Sequence, residues 1–355
     1  MQRLLQLFGL LVALTFAFDR NKICKSCDGV RFFALLYGIL FERMIRMVEI
    51  LLATYNGEKY LREQLDSILA QTYKDFFITV RDDGSTDGTK DILNEYAENY
   101  PEKFRMINTK SDESFNSARN NFAILLQEAK GDDHFCLCCQ DDVWMPDKLS
   151  KQMALMDAME KKYGSGIPLL VHSDMEIVDE NLQPLEKSYV KYANIQPEGF
   201  SLKKMLAENC TVGITCLFDT SLLAICRDIP DEAVSPEWWL GLHAAALGKI
   251  GYIDEPLVKY RQHPGSISGA VSGRFFDIIK NGKFRNSKFD TQKSYYQAEA
   301  FLNANSKLLN AEKTKIIAKY ASFISAGKFT KVMAALFGGY AKNSLLASII
   351  QAANS

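Results

Sequence analysis

The residues best equipped for chemistry in this chain are acidic, and they stand where apolar runs end. Arg-Asp-Asp-Gly-Ser-Thr-Asp-Gly-Thr (81–89) follows the apolar run 76–80, and Gln-Asp-Asp-Val-Trp (140–144) follows the run 134–139. Ser173-Asp174 closes a third run, 169–172, and Tyr55 stands just past a fourth, 48–53. In an open α/β sheet the carboxyl ends of neighbouring strands face one crevice, so groups far apart in sequence meet there. Tyr55, Asp82, Asp83, Asp141, Asp142 and Asp174 are the groups that such a crevice would gather. Carboxylates crowded together repel unless a cation joins them. Hard oxygen donors with few histidines favour Mg2+ or Mn2+ bridging substrate phosphates. Turn and helix capping is the alternative role for these acids. It accounts for Asp87 and Asp147, but poorly for adjacent Asp141-Asp142 ahead of Val143-Trp144.

The elements that must position these groups alternate. Strands are expected over 48–53, 76–80, 104–108, 134–139 and 169–172. Between them fall helical patterns: Leu61, Leu65, Ile68 and Leu69; Ile92, Leu93 and Tyr96; Ala118, Phe122, Leu125 and Ala129; and Leu149, Met153 and Met156 after Pro146. This β-α repetition predicts a mostly parallel sheet with helices on both faces. After residue 200 the segments shorten. A helix is expected over 202–207, strands over 212–218, 251–253 and 257–261, and an alanine-rich helix opening at Glu237-Trp238-Trp239. Residues 270–355 read as helical, with Lys280, Lys283, Arg285, Tyr295 and Tyr296 among their basic and aromatic positions.

Composition sets the outer bounds. The 355 residues suit one large domain with an appendage or two moderate domains; 47% are hydrophobic and 24% charged, enough for a core in an ordinary globular protein. A net charge of −1 gives no electrostatic case for nucleic acid. Eight scattered cysteines, including a lone Cys24-x-x-Cys27, read as reduced thiols of a cytosolic protein, with Cys136, Cys138 and Cys139 in a buried strand. No G-x-x-x-x-G-K-S/T phosphate loop occurs, and no G-x-G-x-x-G follows the first strand. Residues 1–46 hold two apolar runs, 4–18 and 30–41. The first is short for a membrane span and lacks a convincing cleavage site. They are read as an upstream extension, with Met44 or Met47 as a natural start, ahead of a membrane anchor.

The ordered pieces Ala-Thr-Tyr-Asn-Gly (53–57), Arg-Asp-Asp-Gly-Ser-Thr-Asp (81–87), Gln-Asp-Asp-Val-Trp-Met-Pro-Asp-Lys-Leu (140–149), His-Ser-Asp (172–174), Glu-Trp-Trp-Leu (237–240) and Tyr-Arg-Gln-His (260–263) together carry a resemblance. Residues 48–265 resemble a family 2 glycosyltransferase with the GT-A fold, especially bacterial rhamnosyltransferase-like members. The resemblance implies a Rossmann-like α/β domain over 47–268 and a C-terminal helical region over 269–355. It implies that Tyr55 and Asp82 hold the donor's nucleobase and that Asp83 lies near the ribose. Asp141 would be the diphosphate-metal ligand of the family's D-x-D motif, with Mg2+ or Mn2+ as the ion, and His263 would approach from the far side. Two departures stand out. Cys139 occupies the first D-x-D position, where a thiol suits Mg2+ poorly, and Asp142 would compensate at the donor. Pro236-Glu237 replaces the usual His-Asp before the paired tryptophans.

Sugar transfer needs a deprotonated acceptor hydroxyl and a stabilised leaving diphosphate. Glu237, beside Trp238 and Trp239, would be the general base, because desolvation raises a carboxylate's pKa toward neutrality. One base and no second nucleophilic carboxylate imply single displacement with inversion. The expected reaction moves a sugar, first rhamnose from dTDP-rhamnose, from a nucleotide-sugar donor to a growing surface polysaccharide or lipid-linked oligosaccharide. A UDP-hexose donor is the alternative within the class; a catalytically impaired nucleotide-sugar-binding protein is the alternative outside it. The expected setting is cytoplasmic, at the inner face of the cell membrane if the C-terminal helices touch it. There Phe329, Val332, Met333, Leu336 and Phe337 lie near Lys328 and Lys331, a pattern that suits either peripheral membrane contact or packing on the catalytic domain.

Overall fold

The computed structural model describes residues 46–107, 118–131, 133–195, 201–211, 213–264 and 284–340, with the backbone alone for 284–291. The apolar runs before residue 46, Cys24, Cys27, Asn108, residues 115–117, Val212, Lys280 and Lys283 fall outside the described residues, as does the side chain of Arg285.

Among the described residues, nine strands form one sheet. In chain order they are β1 (Val48–Thr54), β2 (Phe76–Asp82), β3 (Phe104–Met106), β4 (His134–Cys138), β5 (Val143–Trp144), β6 (Leu169–Val178), β7 (Pro184–Glu186), β8 (Leu217–Asp219) and β9 (Lys249–Arg261). Their spatial order is β3-β2-β1-β4-β8-β6-β9-β5, with β7 beside β6. The expected parallel arrangement holds across β3-β2-β1-β4 and between β6 and β9. Beyond β4 the sheet is mixed, because β8, β5 and β7 enter antiparallel. From β1 the chain runs outward through β2 and β3, then returns to place β4 on the other side of β1. That reversal is a topological switch point, and it opens a crevice at the carboxyl ends of β1, β2 and β4.

The strands are apolar on both faces because both faces are covered. In β1, Ile50 and Leu52 join one core and Leu51 and Ala53 the other. The first core takes Leu61, Leu65 and Ile68 of α1 (Leu61–Leu69), Ile92 and Leu93 of α2 (Thr89–Asn99), and Leu149, Met153 and Met156 of the later helix Lys148–Tyr163. The second takes Leu125 and Leu126 of α3 (Ala118–Glu128). In chain order after α3 come α4 (Lys148–Tyr163), the short α5 (Tyr189–Tyr192), α6 (Leu202–Ala207), α7 (Thr220–Cys226), α8 (Pro236–Leu247), α9 (Phe284–Ala304), α10 (Ala311–Ala321) and α11 (Lys328–Phe337).

Two expected strands merge. Residues 249–261 form a single β9, whose register slips against β6 around Asp174, so the Asp254-Glu255-Pro256 interruption is absorbed as a bulge. The strand expected over 212–218 becomes a 3-10 turn, Gly213–Thr215, followed by β8. The C-terminal helices are not an appendage. Tyr295, Phe301, Ile317, Tyr320, Phe323 and Tyr340 share one core with Met205 of α6 and Trp238 and Trp239 of α8.

Candidate active site

The crevice is built on tight turns. After β1, Asn56 sits at φ +48°, a conformation asparagine tolerates better than most residues. Its side-chain oxygen accepts the Thr86 N–H at 2.8 Å, and its own N–H donates to Ser85 Oγ at 2.8 Å. The loops after β1 and β2 are thereby one unit. Gln140 joins the loop after β4 to them: the Tyr55 N–H donates to Gln140 Oε1 at 2.8 Å, and Gln140 Nε2 donates to the Tyr55 carbonyl at 2.9 Å. A Cβ at Gly57 would overlap the Gln140 amide and push it out of this clasp.

Tyr55 leaves this clasp with its ring half exposed at the mouth of the crevice. Asp82 faces inward and is well supplied with donors. Its Oδ1 accepts Thr54 Oγ1 at 3.0 Å and Ser85 Oγ at 2.5 Å, and its Oδ2 accepts the Ser85 N–H at 2.9 Å. A carboxylate offers about four acceptor sites, so these three donors leave about one for a further N–H. Asp83 is buried and paired with Arg81, Nη1 to Oδ1 at 2.8 Å. Asn121 of α3 closes the floor, donating to the carbonyls of Thr54 and Arg81.

On the opposite wall, Asp141 Oδ2 meets His263 Nε2 at 2.9 Å, although the two residues lie 122 positions apart. The His263 ring leans on Tyr60, with centroids 4.7 Å apart. Asp142 is buried behind Asp141. Its Oδ1 accepts the Arg261 N–H at 3.2 Å, and its Oδ2 has no hydrogen-bond partner among the described residues. Burial pushes the Asp142 carboxyl well above the usual carboxylate range, and the neighbouring Asp141 charge adds to the shift. One ligand atom from each of Cys139, Asp141 and Asp142 falls within 4.8 Å of the others. The carboxylate and imidazole of Asp141 and His263 are donors of the kind that suit Mn2+ or Mg2+. The Cys139 thiol is a soft donor that suits either ion poorly, and burial and the two aspartates raise its pKa well above the ordinary value.

Arg261 is not available for a diphosphate. Its guanidinium is 2% exposed. Nε donates to the Asp141 carbonyl at 2.8 Å, Nη1 to the Glu180 carbonyl at 2.7 Å, and Nη2 to the Glu63 carboxylate, while its face lies 4.5 Å from the Tyr60 ring centroid. It braces the Asp141 wall of the crevice. Sequence reasoning missed this role, and missed Gln140, although both lie inside motifs that resemblance had marked.

Glu237 lies in the first turn of α8, started by Ser235 and Pro236. Its side chain packs on Gly213, where a Cβ would come within 2.9 Å of Glu237 Cβ. Desolvation raises its carboxyl above the ordinary value, and a Ser235 hydrogen bond offsets only part of that. The loop before it is held from two directions. Arg119 of α3 donates to the carbonyls of Pro230 and Ala233 at 2.5 and 3.1 Å, and the Val234 N–H donates to Gln297 Oε1 of α9 at 2.8 Å. Trp238 and Trp239 serve the core: Trp238 Nε1 donates to the Met205 carbonyl, and Trp239 packs edge-on against Phe301. Asp174 anchors a loop, accepting from Ser188 Oγ and from the Val190 N–H. Asp87 acts as a turn acid, accepting the N–H groups of Glu58 and Thr89. Asp147 stands before α4 and pairs with Lys151 at 2.7 Å instead of capping.

The family model described as Glycosyl transferase family 2 matches residues 49–192. An uncharacterized protein of Mycobacterium bovis is 30% identical over 221 residues, covering 60% of this chain and 58% of that protein. A dTDP-rhamnosyl transferase, RfbG, of Shigella flexneri is 28% identical over 229 residues, covering 62% of this chain and 74% of that one. Among solved structures, S. aureus TarS residues 1–349 in complex with UDP-GlcNAc superposes with a TM-score of 0.50 at 17% identity, covering 87% and 89% of the two chains.

Proposed function

This chain belongs to glycosyl transferase family 2, and from that premise we propose that it transfers a hexosyl group from a nucleotide-sugar donor to a glycan or lipid-linked acceptor, with inversion. The observation that carries this reading is the junction of Asp141 and His263 at the switch-point crevice, opposite the Asp82–Asp83 loop. Residues 47–268 are read as the catalytic domain and 269–355 as the helical region that supports it, with 1–46 as an upstream extension.

In this mechanism the half-exposed Tyr55 ring stacks on the donor's base, Asp82 receives a base N–H, and Asp83, fixed by Arg81, lies at the ribose. Asp141 and His263 would hold Mg2+ or Mn2+, which would supply positive charge for the leaving diphosphate. Asp142 keeps the Asp141 loop against β9 and lends its unpartnered oxygen to that end of the crevice. Glu237 takes the acceptor hydroxyl proton. The acceptor oxygen bonds to the anomeric carbon as the bond to the diphosphate breaks on the opposite face. With a single base and no nucleophilic carboxylate at the anomeric carbon, no glycosyl-enzyme forms and the configuration inverts.

The Shigella relative favours dTDP-rhamnose as the first donor to try. A UDP-hexose is the second. Cys139 favours one further reading, a binding protein that holds donor without turning it over, because the first D-x-D carboxylate is absent. Nucleotide sugars are cytoplasmic, so the reaction is placed there. Nucleoside-diphosphate release from dTDP-rhamnose and from UDP-hexoses, with a lipid-linked acceptor and Mn2+, tests the donor assignment. Release from the UDP-sugars alone would overturn rhamnose, and binding without release would favour the binding protein.

A further inference from the structure

The last described helix, α11, carries its amphipathic pattern the wrong way round. Lys331, Ala334 and Ala335 face the core; Lys331 is 5% exposed, with its ammonium 5.6 Å from the Tyr295 ring centroid. Phe329 and Phe337 face solvent at 77% and 78% exposure, with Met333 and Leu336 also exposed. Positions 329, 333, 336 and 337 share one helical stripe. The other exposed large apolar side chains among the described residues lie singly or in mixed surroundings, and isolated ones need no explanation. Four on three turns of one helix do.

The surroundings are basic. Between residues 307 and 331 six lysines stand against one acid, Glu312. Lys307, Lys315, Lys319 and Lys328 are exposed, and Lys203 of α6 lies over the Tyr340 ring just past the end of α11. We propose that α11 docks on an anionic phospholipid bilayer, lying in the interfacial plane with its Phe-Met-Leu-Phe stripe in the headgroup–acyl boundary and the lysines on lipid phosphates. Its 10 residues reach only about half a bilayer core, and no described helix is long and apolar enough to cross a membrane. A second copy is the poorer occupant. One short stripe offers on the order of a few hundred Å2, below the roughly 800 Å2 per partner of a stable interface, and it would bring two lysine-rich surfaces together. The proposal does not depend on the donor reading, since its test registers no chemistry.

The test is flotation of the full chain with phosphatidylcholine vesicles, with and without phosphatidylglycerol, for the parent and for Phe329→Glu/Phe337→Glu. The parent should float with anionic vesicles and be released by high salt. The double variant should lose at least about tenfold in partition while keeping its melting temperature. Equal flotation of parent and variant, which would point to residues 1–46, overturns the proposal. So does absence of flotation. Loss of a dimer in the variant without a change in flotation assigns the face to a second copy, and a lowered melting temperature means the stripe is already covered in the folded chain; either overturns it.

Discussion

Replacing Glu237 with Gln tests the chemistry with little structural disturbance. The side chain keeps its length and its packing on Gly213, and the Glu237 carbonyl keeps its contact with Thr211 Oγ1 at 3.4 Å. What is lost is the ability to accept a proton. General-base catalysis contributes typically 10²–10⁴ in rate, about 3–5 kcal/mol of barrier, and turnover should fall by that factor while donor affinity is unchanged. The pH profile gives a second readout. Burial raises the Glu237 pKa above its ordinary 4.5, so kcat/KM in the parent should fall as pH drops through that raised value, and this limb should vanish in the variant. Stability should move the opposite way to activity. A carboxyl whose folded pKa exceeds its unfolded one binds protons more tightly in the native state, so its contribution to stability is lost as pH rises from about 4.5 through the raised value. Glutamine removes that loss, and the variant should melt at or above the parent's temperature at pH 7. The assays are steady-state diphosphate release across pH and thermal unfolding at two pH values. Near-normal turnover, or an unchanged acid limb, would refute the assignment of the base.

Asp141→Ala and excess chelator should each abolish transfer, because Arg261 is buried in other contacts and cannot take the charge of the leaving diphosphate; activity that survives chelation would mean a metal-free site. Cys139→Asp should tighten metal or donor binding by calorimetry, and no change in either would mean the loop has been rebuilt around the thiol. Gln297→Leu removes the acceptor of the Val234 N–H from the loop that carries Glu237, so kcat should drop about tenfold with donor KM unchanged. A KM effect without a kcat effect would contradict that positioning role.

Much of the catalytic half was legible in the sequence because strand-end chemistry is local. Turn glycines, paired acids and apolar runs announced β1, β2 and β4 and the loops behind them. The Asp141–His263 junction was implied only by the family resemblance, since no spacing rule connects residues so distant. What stayed hidden was long-range. Arg261 reads as a charged residue near a histidine, and only the fold shows its guanidinium joining Asp141, Glu180 and Glu63. Gln140 reads as a spacer until its amide is seen clasping Tyr55. The break at residues 254–256 read as a turn because Asp-Glu-Pro disfavours a strand; pairing with β6 overrides that local preference through a bulge. Periodicity showed that α11 is amphipathic but not which face meets the core. The small Ala334–Ala335 face packs, and the large one is left outside.

The central claim is that the switch-point crevice turns over a nucleotide sugar. Its most direct measurement is release of nucleoside diphosphate from a panel of nucleotide sugars by the full chain with Mn2+ and a lipid-linked acceptor, run beside Asp141→Ala and Glu237→Gln. Release from one donor that both substitutions suppress is the result this account predicts; a panel with no release, or release that both variants retain, would contradict it.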